Sequence, residues 1–230
     1  MDSPEHQKTR HIRSFVLRQG RTTLAQNAAL ASLWPIYGLD SAQDFNAMET
    51  FGRAAPLILE IGFGNGESLA QMALQAAEKD FLGIEVHRPG VGHLLLKAQE
   101  MGLRNVRVYC ADAVEVLRDR IPPNSLDGVQ VFFPDPWHKS RHHKRRLVNA
   151  GFASLLADRL KPSGFLHCAT DWEDYAGQML EVLEASAKLR NQAGKGRYAE
   201  RPASRPLTKF EARGQRLGHG VWDLIFTRDP

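Results

Sequence analysis

Residues 57 to 66 read LILEIGFGNG, an apolar run broken only by Glu60 and followed by glycines at 62, 64 and 66. Consecutive apolar positions suit a strand buried on both faces, as in a parallel sheet, better than a strand with one wet face. The glycines allow a tight turn with exposed main chain. The period then changes at Glu67, after which Leu69, Met72, Ala73 and Ala76 share one helical face. The stretch predicts strand, glycine turn and helix, the opening unit of an α/β fold.

The same alternation continues on the C-terminal side. FLGIEV (81–86), NVRVYCAD (105–112), LDGVQVFF (126–133) and GFLHCAT (164–170) read as further strands. Between them lie helical patterns carrying Val91, Leu94, Leu95, Ala98 and Met101, and later Val148, Phe152, Leu155 and Leu156. Lys161-Pro162-Ser163-Gly164 is a stop signal, and Asp171 with Asp174 three residues on marks a helix start. GVWDLIFTR (220–228) reads as a last edge strand after a long basic loop. The pattern is that of a parallel sheet with helices on its faces. Residues 1–50 have weak periodicity and read as a partly mobile extension that wraps the core or reaches a partner, with one domain over 51–230.

A chain of 230 residues with 43% hydrophobic and 24% charged residues is long enough for one sizeable core. No apolar run approaches the roughly 18 residues of a membrane span, and the first residues lack the apolar segment of a secretory signal, so a cytoplasmic location is expected. Cys110 and Cys168 stand apart in apolar runs and predict free thiols, with no metal site. The net charge of +4 is unevenly placed. Five Lys/Arg and no acid fall between Lys8 and Arg21, five Lys/Arg and two His between 139 and 146, and eight Lys/Arg against two Glu between 188 and 213. Brought together, these segments form a polyanion footprint; left apart, they are solvated surface.

Three acids mark strand ends: Glu60 beside the glycine turn, Glu85 nineteen residues beyond Gly66, and Asp112. In open α/β sheets ligands bind at the carboxyl edge, so these acids point to one crevice, with Glu85 placed for ribose hydroxyls and Asp112 for an adenine amino group. A dinucleotide fingerprint places its third glycine where Glu67 stands, and a pyrophosphate disfavours so many carboxylates. S-adenosyl-L-methionine, cationic and without phosphate, fits the set Glu60, Gly62, Gly64, Gly66, Glu85 and Asp112. The bland alternatives are, for Glu60, a strand-end acid bound to neighbouring amides and, for Asp112, a helix N-cap.

Beyond the fourth strand comes FFPDPWHKSRHHKRR (132–146). Prolines flank Asp135 and hold it in a defined pose in front of the same crevice. Trp137 offers a face for a base, and the cations that follow suit phosphates. A rigid turn with a capping Asp and a core Trp is the alternative.

These blocks together resemble the tRNA (guanine-N7-)-methyltransferase family: LEIGFGNG at 59–66, GIEVHRPGVG at 83–92, FFPDPWHKSRHHKRRLV at 132–148, TDWEDYA at 170–176, and RPLTKFEARGQRLGHGVWDLIF at 205–226. SFVLRQGR at 14–21 is similar to the family's N-terminal arm. The resemblance implies a Rossmann-like, seven-stranded, mostly parallel sheet of the class I methyltransferase type, and methyl transfer to N7 of a variable-loop guanosine in tRNA. It implies S-adenosyl-L-methionine at Glu60, Glu85 and Asp112, catalysis at Asp135, and substrate contacts from Lys139, Asp171, Thr208, Lys209, Phe210 and Glu211. RNA contacts fall to Arg141, His142, His143, Lys144, Arg145 and Arg146. No obligate protein partner is implied, and the chain is expected to be a monomer or homodimer. The rival readings are methylation of an exocyclic base amine and a catalytically silent RNA-binding protein, with a nicotinamide-type oxidoreductase disfavoured by the glycine spacing.

Overall fold

A computed structural model describes residues 13–15, 20–207, 211 and 220–230. Seven strands form one sheet: β1 (Leu57–Ile61), β2 (Asp80–Ile84), β3 (Val106–Tyr109), β4 (Leu126–Phe132), β5 (Leu160–Thr170), β6 (Leu189–Asn191) and β7 (Trp222–Arg228). Their order is β3-β2-β1-β4-β5-β7-β6. The first five run parallel, while β7 is antiparallel to both β5 and β6. β1 and β2 are buried at every position, which is what their unbroken apolar runs demand.

Alternation along β1 divides the core. Leu57, Leu59 and Ile61 pack in one cluster with Leu117, Phe152, Leu156 and Met179. These partners come from α6 (Ala113–Asp119), α7 (Ala150–Arg159) and α8 (Glu173–Glu184). Ile58 joins the opposite cluster with Leu69, Val91, Leu94 and Leu95, from α4 (Glu67–Gln75) and α5 (Arg88–Glu100). Helices thus cover both faces of a mostly parallel sheet, as expected.

The segment before β1 is more ordered than its weak periodicity suggested. Residues from Leu24 form α1 (Leu24–Ser32), α2 (Trp34–Tyr37) and α3 (Ala47–Phe51). Ala29, Leu33 and Tyr37 are buried in the α4–α5 cluster, and Phe45 in the other. Of the two roles expected for the extension, this part wraps the core. α1 opens on a capping box, in which Thr23 Oγ1 accepts from Gln26 N at 3.2 Å and Gln26 Oε1 from Thr23 N at 2.8 Å. The 161–164 stop signal also differs: it lies inside β5 as a kink, where Ser163 takes φ 65° and the register against β4 shifts. The seven strands are those the resemblance implied, although the three-residue β6 was not located from the pattern.

Candidate active site

The strand order reverses between β1 and β4, the switch point at which such sheets leave a crevice beyond their carboxyl ends. The glycine turn leaves β1 there, and the Pro134–Pro136 turn leaves β4. Every strand expected to run on past this edge stops short of it: β1 ends at Ile61, β2 at Ile84, β3 at Tyr109 and β4 at Phe132. The residues released from the ladder, among them Gly62, Glu85, Asp112 and Asp135, are the expected site residues.

Two compartments share this edge. One, of ≈ 970 Å³, is lined by Glu60, Gly64, Ser68, His138, Asp171 and Trp172. The other, of ≈ 440 Å³, is lined by Ile61, Ile84, Glu85, Asp112 and Leu147. Gly62 and the run Phe132 to Asp135 border both, so Asp135 fronts the two at once. Gly62 and Gly64 have φ of 74° and 60°, and a Cβ on either would meet nothing within 4 Å. The backbone of the turn therefore faces open space.

The three acids are used differently. Glu85 Oε2 accepts from Gly64 N at 2.9 Å, and its Oε1 from Val86 N at 2.7 Å and His87 N at 2.9 Å. Asp112 caps α6, accepting from Val114 N at 2.9 Å. The N-cap reading of Asp112 holds geometrically, while the binding to neighbouring amides expected as the alternative for Glu60 is found at Glu85 instead; yet both side chains line the smaller compartment, and lone pairs remain on Glu85 Oε2 and on Asp112 for a hydroxyl or amino group. Glu60 is 3% exposed and its Oε2 has no hydrogen-bond partner among the described residues. Burial, reinforced by the nearby Glu85 carboxylate, pushes the Glu60 carboxyl up to about 8. A buried carboxyl with an orphaned oxygen on a cavity wall is suited to a cationic ligand. Ser68 Oγ, on the same wall, is also buried and unpartnered.

The turn carrying Asp135 is braced at both ends. Phe133 and Trp137 take φ of 52° and 49°, a conformation that non-glycine residues adopt at a cost and that clusters at functional sites. Phe133 N donates to Ala169 O of β5 at 2.8 Å, and Pro136 O accepts from Arg146 Nε at 2.8 Å. Arg146 itself is 2% exposed; it also donates to Gln178 Oε1 at 2.6 Å and to Asp174 Oδ2, and lies over the Tyr175 ring at 4.8 Å. Its guanidinium is spent inside the protein, so the expectation that Arg146 touches RNA does not fit its burial. Glu211 is likewise 1% exposed and forms a two-pronged pair with Arg205, at 2.6 and 2.8 Å. Its carboxylate is engaged inside the protein by Arg205. Thr208, Lys209 and Phe210 lie outside the described residues.

The remaining cations divide. A 3-10 turn over Ser140–Arg145 leaves Arg141 and Lys144 exposed, with Lys139 exposed just before it. His142 and His143 are half-buried; partial desolvation, then the surrounding cations Arg141, Arg145, Lys139 and Lys144, hold the His142 imidazole below its ordinary value. Arg145 donates to the carbonyls of Arg13 and Phe15, each at 3.2 Å, and its guanidinium lies 4.1 Å from the Trp137 ring centre. Trp137 Nε1 donates to Ser14 O at 3.1 Å. Residues 13–15 of the N-terminal basic segment thus meet the one at 139–146. Much of the third pairs internally, Lys188 with Asp158, Arg190 with Asp229, and Arg205 with Glu211 and Asp223.

A family model described as "Putative methyltransferase" matches residues 54–224. The chain is 63% identical over 219 residues to the tRNA (guanine-N(7)-)-methyltransferase of Methylococcus capsulatus, with 95% of each chain covered. It is 57% identical over 230 residues to the enzyme of that name from Hydrogenovibrio crunogenus, covering 99% of this chain and 94% of the other. The chain belongs to the tRNA (guanine-N(7)-)-methyltransferase family. Among solved structures, the 16S rRNA methyltransferase KamB superposes with a TM-score of 0.58 at 20% identity, over 82% of this chain and 96% of that one. The 16S rRNA (adenine(1408)-N(1))-methyltransferase of Catenulisporales acidiphilia, a W203A mutant, gives 0.54 at 14% identity, over 84% and 92%. These likenesses establish the class I methyltransferase fold.

Two features of the cleft escaped the sequence reading. Arg205 is 1% exposed and grips Glu211 and, at 2.8 and 3.0 Å, Asp223, which also meets His167 Nε2 at 2.6 Å. Its guanidinium lies 5.8 Å from the Phe132 ring and 5.6 Å from that of Phe133, directly behind the Asp135 turn. Trp172 lines the larger compartment beside Asp171. Its place in TDWEDYA, immediately after an expected substrate residue, was the available signal.

Proposed function

We propose that this enzyme transfers a methyl group from S-adenosyl-L-methionine to N7 of a guanosine in tRNA, with Asp135 as the residue that receives the purine. The observation that supports this assignment of the site is the orphaned Glu60 carboxylate oxygen on one wall of a cleft whose rim carries Asp135. S-adenosyl-L-methionine, when bound, supplies an electrophilic methyl on a sulfonium. Glu60 and Ser68 would take its polar end, the open main chain of Gly62 and Gly64 its middle, and Glu85 with Asp112 its nucleoside in the smaller compartment.

Guanine N7 carries a free lone pair at neutral pH, so no residue has to remove a proton before attack. The protein's task is alignment, and the strained, doubly braced Asp135 turn is built for it. Its carboxylate accepts hydrogen bonds from the N–H edge of the base and favours the positive charge that develops on the purine. Asp171 lines the same compartment and adds a second acceptor. Arg141, Lys144 and Lys139 sit beside the cleft as phosphate contacts, which fix register without choosing sequence. The test is incubation with methyl-labelled cofactor and unmodified tRNA, followed by mapping of aniline-sensitive cleavage. Cleavage at one guanosine is the expected result; label on tRNA without such cleavage overturns the N7 assignment.

A further inference from the structure

Trp137 was the sequence's candidate for stacking on the base, and the structure gives it other work. Its indole N–H is bonded to Ser14 O, Arg145 lies over its ring, His142 packs at 5.8 Å, and it does not line the larger compartment. That compartment has a different aromatic. Trp172 is 39% exposed and Leu207 49% exposed, and both are on its wall. His138 meets Trp172 edge-on, with ring centres 4.2 Å apart and planes at 71°. The indole is therefore supported along one side while keeping open area toward the cleft. Around it stand the two acceptors Asp135 and Asp171.

We propose that Trp172, steadied by His138 and faced by Leu207, is the surface on which the target guanine stacks. The inference rests on the guanine-N7 reading above and adds to it the residue that holds the base plane. Apolar faces with acceptors at the edge match a purine, which has two π faces and an N–H edge. Methyl transfer turns that purine into a cation. An indole face is electron-rich and attracts a cation more strongly than a neutral ring, so the stacking strengthens as the reaction proceeds. Interactions that grow toward the transition state raise turnover and not only affinity.

The experiment compares Trp172→Phe, Trp172→Leu and His138→Ala with the wild type in single-turnover methylation of an unmodified tRNA transcript at saturating cofactor and tRNA. Loss of a base–aromatic stack is expected to slow Trp172→Leu by about ten- to a hundredfold. Phenylalanine restores most of the rate, and His138→Ala falls only a few-fold. A residue needed only for bulk is replaced as well by Leu as by Phe, so equal rates for those two variants overturn the proposal, as does a wild-type rate in Trp172→Leu. Unchanged cofactor affinity and thermal midpoint in Trp172→Leu separate the effect from misfolding. A wild-type enzyme that methylates tRNA at an atom other than N7 overturns the functional reading and this inference with it. N7 methylation that is indifferent to Trp172 overturns this inference alone.

Discussion

The two halves of the cleft satisfy their charges in opposite ways. On the side of β5 and β7, charge meets charge: Arg205 holds Glu211 and Asp223, and Arg146 holds Asp174. On the side of β1 to β3, Glu85 and Asp112 lean on main-chain amides, and Glu60 keeps an oxygen with no partner among the described residues. One half is complete as folded and serves to position. The other is unsettled: burial holds its Glu60 carboxyl protonated near neutral pH, and a bound cation would favour the charged form. The difference separates residues that shape the site from residues that receive a ligand, although both sets are equally acidic or basic in the sequence.

The contrast breaks most sharply at Asp135. Asp135→Asn keeps the shape of the turn and loses the charge, and is expected to lower the single-turnover rate by about 10²–10³-fold, the cost typical of one transition-state electrostatic contact, with cofactor affinity retained. A wild-type rate would remove Asp135 from the chemistry. On the completed half, Arg205→Met strands two buried carboxylates and is expected to cost about 3–5 kcal/mol in urea unfolding. A change below 1 kcal/mol would mean that the pairs add no stability.

On the unsettled half the sign reverses. The Glu60 carboxyl is pushed up to about 8 from its ordinary 4.5. Between those values the folded protein holds a proton that the unfolded chain has released, so stability falls as pH rises across this window, and the full cost is present above it. Glu60→Gln should raise thermal stability, by on the order of a few kcal/mol near pH 8 and by much less near pH 5, while weakening cofactor binding. A stability gain independent of pH would contradict the buried, protonated carboxyl. The smallest effect is expected at the rim. Arg141→Ala with Lys144→Ala should leave stability unchanged and reduce the slope of log affinity for tRNA against log salt by about 1.5. Arg146→Ala should instead lower stability, because that side chain is buried.

The parallel core was legible because strands buried on both faces write long apolar runs, and the glycine turn because a positive φ has few alternatives to glycine. Much of the N-terminal wrap was missed although Thr23 and Gln26 spell a capping box, since α1 exposes Leu24 and buries only Ala29 of its own residues, too little for a clear period. The acids of the site stood out at strand ends. What could not be read was which partner each charge meets. Arg145 and Arg146 are adjacent in sequence, yet one packs against the N-terminal segment and the other under the Asp135 turn. Spacing along the chain does not report that difference, because it is set by partners distant in sequence, α8 for Arg146 and residues 13–15 for Arg145.

Gly90 gives the cleft a rear wall. A Cβ there would stand 2.0 Å from the carbonyl oxygen of Gly64, so α5 presses directly on the back of the turn. A single methyl group on that helix would drive the turn forward into the space the methyl donor needs, acting as an inhibitor built into the scaffold and attached from the opposite side of the chain.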